Sequence, residues 1–217
     1  VMRISNHKIV YLWRFVKFLN EMLVKNPLIF LFLMVSLLSA QSLDTIKTTF
    51  GDGSLARVYT VKKGTDIREG ISLSYSAKGK LAVEVPYKDG KMEGTFKSYF
   101  PSGKLREQTI YKNGMESGVS EHYFENGKIA KREEYVDGVL NGVSESFDSL
   151  GVKRESLTYV SGQLEGKARL FDSKGIVKEE MEFFRGMRHG YYRKYNQGLM
   201  FQQMRFRLNR CDSGCTQ

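Results

Sequence analysis

The sequence is poor in three residue types, and each shortage narrows the possibilities. Only 3 of its 217 residues are proline, whereas 21 are glycine, 12 tyrosine and 14 phenylalanine. Such a composition is typical of short β-strands joined by tight turns. The 3 histidines and 2 cysteines are too few for most all-protein metal sites, so we expect no metal and no cofactor. With 41% hydrophobic and 27% charged residues, a disordered or fibrous protein is not expected.

Long hydrophobic runs are scarce as well, and the clearest one lies at residues 28–38. It is apolar except for Ser36, and eleven residues are too few to cross a bilayer as a helix, which takes about 20. Lys25 before the run and Ala40-Gln41 after it are typical of a secretory signal peptide. We therefore predict a signal peptide at residues 1–40, cleavage between Ala40 and Gln41, and export to the periplasm or cell envelope.

The segment before this run leaves two interpretations open. Residues 1–21 mix basic and large apolar residues, and the chain opens with Val1. Either the n-region is over-extended and translation starts at Met22, or residues 1–21 form an amphipathic surface helix before an uncleaved inner-membrane anchor at residues 28–38. No cysteine follows the run directly, which argues against a lipoprotein anchor.

The charge of the remaining chain is mild. Residues 41–217 carry 29 basic and 23 acidic residues, a net charge of +6, and the two signs are interspersed. This balance favours a solvated sheet face over attraction to a membrane surface or cell-wall polymer. No nucleic-acid-binding signature accompanies it, so nucleic acid is not an expected partner.

Glycines recur every 24 residues, and 16 of the 21 obey this period. The leading series consists of Gly70, Gly94, Gly118, Gly142, Gly166 and Gly190. Two further series follow it, at Gly79, Gly103, Gly127, Gly151 and Gly175 and at Gly90, Gly114, Gly138, Gly162 and Gly186. Tyrosine or phenylalanine stands five and seventeen residues after each leading glycine, with few gaps. The period therefore predicts a repeat array across about residues 47–208.

Each unit predicts a β-hairpin. In the unit that begins at Gly118, Asn126-Gly127 and Asp137-Gly138 separate strand-like segments, and such dipeptides favour type I′ turns because both central residues need a positive φ. Side-chain alternation predicts one aromatic and aliphatic face and one wet face. We expect Pro86 to distort its strand because proline lacks a ladder donor.

The predicted fold is all-β: an elongated single-layer antiparallel meander of about seven 24-residue hairpins, with about thirteen strands, after an N-terminal hydrophobic helix or signal peptide. The expected division is a signal segment at residues 1–40, a repeat array at residues 41–210 and a tail at residues 211–217 that holds a cysteine pair. Its oligomeric state stays open.

The unit pattern resembles the MORN-repeat variant of bacterial proteins grouped as YwqK-type antitoxins. The matching positions are Gly118, Tyr123, Phe124, Asn126, Gly127, Ile129, Tyr135, Asp137 and Gly138. The resemblance covers about three quarters of the chain, implies hairpin sheets used for interaction or membrane association, and carries over no catalytic position. The antitoxin label would imply a cytosolic toxin partner, which the predicted export signal contradicts.

The candidate partner-binding residues are the second series of aromatic residues. Tyrosine has an apolar ring and a polar tip, which suits a half-wet binding groove. Packing within the sheet is the alternative role of these rings. The candidates are Tyr87, Tyr111, Tyr135 and Tyr159.

Candidate catalytic groups are weak. Adjacent acids such as Glu133-Glu134 should point to opposite faces, which favours cross-strand ion pairs over the paired carboxylates of a glycosidase. His122 and His189 lie in different units, so neither a triad nor a metal site is expected. Cys211 and Cys215 flank a glycine-containing turn and are expected to form a disulfide in an oxidising compartment.

The sequence thus predicts a non-enzymatic exported protein that binds a partner protein or envelope surface through an aromatic face. An antitoxin-like neutraliser and, behind it, a glycan-acting envelope enzyme are the alternatives.

Overall fold

A computed structural model describes residues 42–215 of the chain. The second of two compact units, Asp44–Gln217, contains the sheet except for Leu43 at the start of the first strand. The predicted signal peptide, its cleavage site at Ala40 and Gln41, and Met22 lie outside the described residues. Within residues 42–215 no helix is long and apolar enough to cross a membrane.

The described residues form eighteen β-strands in one sheet, which confirms the all-β prediction. In chain order they are β1 (Leu43–Thr49), β2 (Leu55–Lys62), β3 (Gly70–Tyr75), β4 (Leu81–Lys88), β5 (Lys91–Met92), β6 (Gly94–Tyr99), β7 (Leu105–Lys112), β8 (Met115–Tyr123), β9 (Ile129–Val136), β10 (Val139–Leu140), β11 (Gly142–Phe147), β12 (Lys153–Val160), β13 (Gln163–Leu164), β14 (Gly166–Phe171), β15 (Val177–Phe184), β16 (Met187–Asn196), β17 (Leu199–Arg207) and β18 (Arg210–Ser213).

Strands pair with their neighbours in sequence, so the sheet is a meander. The pairs from β2–β3 to β17–β18 are all antiparallel. The two-residue strands β5, β10 and β13 extend the start of the next long strand, so that β4, β9 and β12 each pair with two partners. β18 includes Cys211, so part of the predicted tail is a strand.

Two kinds of turn alternate along the meander, and the glycines explain both. Asp137 and Gly138 have φ of 49° and 79°, the paired positive values of a type I′ turn, as the sequence predicted. At the other end of the hairpin, the Phe124 carbonyl accepts from the Gly127 N–H at 2.8 Å, and the Phe124 N–H donates to the Lys128 carbonyl at 2.8 Å. This three-residue loop ends in a left-handed glycine, Gly127, with φ of 85°.

A recurring bulge corrects the predicted faces. The register between β8 and β9 shifts between His122 and Tyr123, and the β3–β4, β6–β7, β11–β12 and β14–β15 pairs shift at the equivalent place. One extra residue on one strand exchanges the faces of all residues beyond it. The two aromatic series, exemplified by Tyr123 and Tyr135, therefore lie on opposite faces. The prediction of one aromatic face was wrong because simple alternation ignores the bulge.

Pro86 lies at an irregularity that other units share. It pairs with Ile71 on one side, and its carbonyl accepts from the Glu93 N–H at 3.1 Å on the other. The carbonyls of Glu134 and Thr158 at the equivalent positions accept in the same way. In β7 the pairing with β8 skips the equivalent residue, Ile110. The break expected at Pro86 is thus a property of every such unit, and proline is tolerated there.

The sheet has almost no aliphatic core. Within residues 42–215, Val61 is the one buried apolar side chain, at 5% exposure. The other buried side chains are polar, and Ser98 and Thr109 are the most enclosed. A single layer buries little apolar area, so its stability must come largely from cross-strand and turn-to-turn contacts.

Side chains link each turn to the next one along the array. The carboxylates of Glu69, Glu93 and Glu165 each accept the N–H of the first central residue in a following type I′ turn, at 2.8, 2.7 and 2.8 Å. At the opposite edge, the ammonium groups of Lys80 and Lys104 donate to carbonyls of the next three-residue loop at 2.7 and 2.8 Å. The repeated glutamates and lysines therefore fix the spacing of neighbouring units.

Candidate functional site

One face of the sheet carries a row of directly paired side chains that crosses thirteen strands, from β2 to β17. Directly opposed residues of antiparallel strands share a face. We call this face the ladder face. Its charged rungs alternate in sign, with four acidic and four basic residues, and the row reads Val58, Leu73, Glu84, Lys97, Gln108, Glu121, Arg132, Glu145, Ser156, Arg169, Glu180, Arg193 and Gln203.

Glu121 is the centre of the best-connected part of the ladder. Arg132 donates from Nε and Nη2 to its Oε1 at 2.9 and 2.7 Å, while Gln108 and Tyr123 donate to its Oε2 at 2.8 and 2.5 Å. Burial raises the pKa of Glu121, but these hydrogen bonds and the Arg132 charge outweigh it, so that the pKa lies below its usual value. Burial and the Glu121 carboxylate raise the pKa of Tyr123 to about 12.

Glu180 has the same role near the C-terminal end. Arg169 and Arg193, on the two neighbouring strands, donate to its two oxygens at 2.8 and 2.9 Å, and Lys167 lies at 3.5 Å. Its side chain is 9% exposed. Burial raises the pKa of Glu180, but the arginine hydrogen bonds and the Lys167 charge lower it by more. The pKa of Glu180 therefore lies below its usual value.

Apolar side chains flank the ladder on both sides. One flank includes Ile71, Ile110, Val119 and Val143, which are 59%, 43%, 38% and 36% exposed. The other flank carries the first aromatic series, as the hydrogen bond from Tyr99 to the rung Glu84 at 3.0 Å demonstrates. An open groove of about 460 Å³ lies between β6 and β9, lined by Thr95, Gln108, Ile110, Val119, Glu121, Arg132 and Glu134.

The four tyrosines predicted to bind a partner lie on the opposite face, which we call the tyrosine face. Each is half-buried and pairs with a leading glycine or with the residue that opens the next hairpin. Tyr111 donates to Glu116 at 3.4 Å, and Tyr87 accepts from Arg68 at 3.4 Å. Burial and the charges of Glu133 and Glu116 raise the pKa of Tyr135 to about 12.

Small polar residues lie beside these tyrosines. Ser72, Ser120 and Ser144 are 3%, 3% and 5% exposed, and the hydroxyls of Thr109 and Ser120 share a 2.7 Å hydrogen bond. The tyrosine hydroxyls and their neighbours are therefore largely engaged by the chain itself. No finding assigns Tyr87, Tyr111, Tyr135 or Tyr159 to binding, so that role stays a prediction.

The adjacent carboxylates Glu133 and Glu134 do not lie side by side. Glu133 pairs with Ser120 and Glu134 with Val119, so the adjacent acids point to opposite faces, as predicted. Glu121 and Glu134 both line the groove, but Glu121 is ion-paired with a lowered pKa, unlike a general acid. Within residues 42–215, no cluster of His, Cys, Asp and Glu has the arrangement of a metal site.

The remaining predicted groups are placed separately. His122 lies on the tyrosine face opposite Glu107 and Lys131, and His189 packs against the ring of Phe184 with 5.8 Å between centroids. Cys211 and Cys215 lie close together, with Cα atoms 6.3 Å apart, a spacing that a disulfide allows, and the bridge stays a prediction.

Sequence reasoning missed the ladder and its exposed aliphatic flank. The sequence held a signal for both features. Val119 and Val143 directly follow their leading glycines, and the ladder residues Glu121 and Glu145 stand two places further on. Joining the two halves of a unit into one face required the bulge position, which alternation alone does not indicate.

The family comparison matches the hairpins that surround the groove. The MORN repeat variant model matches residues 68–89, 92–113 and 116–137. Three adjacent units of the chain thus match the MORN repeat variant model. The groove and the exposed flank from Ile71 to Val119 lie mostly within these MORN units.

The other comparisons add little. No curated protein sequence matches the chain. Among solved structures, the chain is similar to a mutant of S. aureus TarM in complex with Fondaparinux, alpha-GlcNAc-glycerol and UDP, at 12% identity and a TM-score of 0.32. The match covers 76% of this chain and 32% of that chain. A TM-score of this size supports no conclusion about fold or function.

Proposed function

We propose that this protein is a non-enzymatic MORN-repeat module that binds a partner protein through its ladder face. The observation that carries the proposal is the exposed aliphatic flank of Ile71, Ile110, Val119 and Val143 beside an open groove. Monomeric proteins rarely expose contiguous apolar rows without using them for interaction.

The ladder itself favours this face. At its centre, Glu121 and Arg132 neutralise each other in a pair at 2.7 Å. A partner that covers the groove would therefore not leave either of these two charges buried and unpaired, which is the costly event at an interface. The aliphatic flank and the first aromatic series then supply apolar area on both sides of the groove, and the affinity comes from that buried area.

The experiment is affinity purification of the tagged full chain from its native host, with charged substitutions on the flank. Val119→Lys and Val143→Lys place a charge on side chains that are already 38% and 36% exposed, so the sheet should tolerate them. The matched control is Val139→Lys, at a turn, where the side chain is 44% exposed.

We expect a co-purifying protein that is retained by the parent and by Val139→Lys but lost with Val119→Lys and Val143→Lys. Circular dichroism of all variants establishes that the fold is kept. Loss with all three variants, or with none, contradicts the assignment of the ladder face. Retention by the flank variants with loss by a Tyr111→Ala and Tyr135→Ala double variant would favour the tyrosine face instead.

Export is part of the same proposal, and it is supported by the hydrophobic run at residues 28–38 and the small residues after it. A mature N-terminus near Gln41 in the periplasmic fraction of a Gram-negative host is the expected result of N-terminal sequencing. An intact N-terminus in the cytosol or inner membrane would contradict export. It would favour the anchored form or the YwqK-type antitoxin role, in which the partner is a toxin.

A further inference from the structure

The net charge of the described sheet is concentrated at its C-terminal end. Residues 44–184 contain 22 basic and 22 acidic residues, whereas residues 185–215 contain seven basic residues and one acidic residue, a net charge of +6. That acid, Asp212, lies 3.9 Å from Arg207. Of these basic residues, Arg193 pairs with Glu180 at 2.9 Å, whereas the rest of the described chain carries no net charge. The exposed arginines of this end are Arg185, Arg188, Arg205, Arg207 and Arg210.

Exposed apolar side chains lie at the same end. Leu199, Met200 and Phe201 at the start of β17 are 77%, 52% and 65% exposed. In earlier units the returning strand begins with an aliphatic residue such as Leu105 or Ile129, and both are half-buried because another hairpin follows. Three consecutive exposed apolar residues are unusual on a soluble surface.

The backbone of this segment is open on one side. β16 pairs with β17 from Leu199 to Phe206, with a bulge at Phe201 between the Met200 and Gln202 pairs, but β18 pairs only with Arg205–Arg207. The loop after β18 places Gly214 against the backbone of Gln203 and Met204. Within residues 42–215, no strand pairs with Leu199–Gln202 on the outer side. Its unpaired N–H and C=O groups form a sheet edge that can accept another strand.

We propose that the outer edge of Leu199–Gln202 is a strand-addition site for an extended acidic segment of a partner protein. Backbone hydrogen bonds to the edge supply affinity, and the exposed Leu199, Met200 and Phe201 contact alternate apolar side chains of the added strand. The surrounding arginines attract its acidic residues. This site is separate from the ladder face and goes beyond the function proposed for that face.

The charge decides between a partner and a second copy of this chain. Pairing of two copies through the same edge would bring two ends of net charge +6 together, and like charges across an interface disfavour association. An acidic strand would instead be attracted to this end of the sheet. Asp212 is the one acidic residue within residues 185–215 that competes with it for the arginines.

The test uses the full chain and a defined probe, a blocked peptide of alternating glutamate and valine, about eight residues long. Fluorescence anisotropy measures its affinity, and hydrogen exchange measures protection of the amides of residues 199–202. The comparison probe is a lysine–valine peptide of the same length. We expect the acidic peptide to bind with protection confined to this edge, to weaken as salt rises, and the basic peptide not to bind.

Matched variants separate the apolar and charged contributions. Phe201→Ser and an Arg205→Glu plus Arg207→Glu double variant should each weaken binding by about tenfold. Leu150→Ser, where the side chain is 74% exposed, and Lys78→Glu at a distant turn are the controls and should leave the affinity unchanged. Val119→Lys should leave it unchanged too, so that failure here and failure of the ladder-face proposal are distinguishable.

Four outcomes would overturn the proposal. Equal binding of the two peptides would contradict recognition by charge. Protection of amides elsewhere in the sheet would contradict the assignment of the site to this edge. Equal weakening by the control variants indicates non-specific binding. A dimer in sedimentation that the acidic peptide does not displace would assign the edge to a second copy.

Discussion

Replacing Gly142 with alanine tests the backbone geometry on which both faces depend. Gly142 has φ of +134°, and an added Cβ would lie 2.7 Å from the Cβ of Glu134. A non-glycine residue in such a conformation costs about 1–3 kcal/mol, and relieving the overlap adds about 1–3 kcal/mol. We therefore expect Gly142→Ala to lower the free energy of unfolding by about 2–6 kcal/mol.

Two other glycines separate the two contributions. At Gly127, φ is +85° and no atom lies within 4 Å of an added Cβ, so Gly127→Ala should cost only the strain, about 1–2 kcal/mol. Gly51 has open space around the added Cβ and no φ in the left-handed region, so Gly51→Ala should change stability by less than about 0.5 kcal/mol.

The assay is urea denaturation at 25 °C, followed by circular dichroism and fitted with a common m-value. The order of loss should be Gly142→Ala, then Gly127→Ala, then Gly51→Ala. A Gly142→Ala protein as stable as Gly51→Ala would refute the inferred close approach of Gly142 to Glu134, and with it the pairing on which the ladder rests.

Three further predictions address single interactions. Glu180 has a folded pKa below its ordinary value of 4.5, so its contribution is present at neutral pH and is lost as pH falls from 4.5 through the folded value. Glu180→Gln should therefore cost about 1–3 kcal/mol at pH 7 and progressively less as the pH falls below 4.5. A difference in the free energy of unfolding between parent and variant that stays constant as the pH changes would contradict this. Glu93→Ala should cost about 0.5–1.5 kcal/mol through the lost bond to the Asn113 N–H, with exposed Glu125→Ala as the neutral control, both measured by urea denaturation. In exported protein, Cys211 and Cys215 should resist thiol labelling until reduction, and rapid labelling without reductant would contradict the bridge.

The sequence predicted the period, the turn positions and the meander because the positions of the glycines indicate them directly. The type I′ geometry expected at Asn126-Gly127 was wrong, since that turn is a three-residue loop in which only Gly127 of the two has a positive φ. Each type I′ turn needs two residues with positive φ, and Asp137-Gly138 and Asn113-Gly114 provide them. The leading glycines likewise occupy left-handed positions, as at Gly142. These features are local, so residue type alone indicates them.

The faces could not be predicted in the same way. No characteristic residue type marks the bulge beside Tyr123 in the sequence. Tyr99 and Phe147 occupy the same position in other units, and aromatic residues occur in regular strands as well. Its effect is nevertheless large, because one inserted residue exchanges the faces of everything beyond it. The ladder depends on pairing between successive hairpins as well, so its alternating charges emerge only once the register is known.

The exposed edge of β17 arises from the end of the repeat array. In each earlier unit another hairpin covers the returning strand, whereas β18 covers only Arg205–Arg207. The last unit is also one residue shorter than the others, since Gln197-Gly198 forms a two-residue turn in place of the three-residue loop. Exposure of Leu199 and Phe201 follows from position in the array and not from residue type.

A photo-crosslinking amino acid placed at position 110 or at position 111 of the full chain, expressed in the native host, tests the partner-binding face most directly. Ile110 lies on the ladder face and lines the groove, whereas its neighbour Tyr111 lies on the tyrosine face. We predict a protein adduct from position 110 that is lost with Val119→Lys, and none from position 111. An adduct from position 111 alone would contradict the ladder-face account.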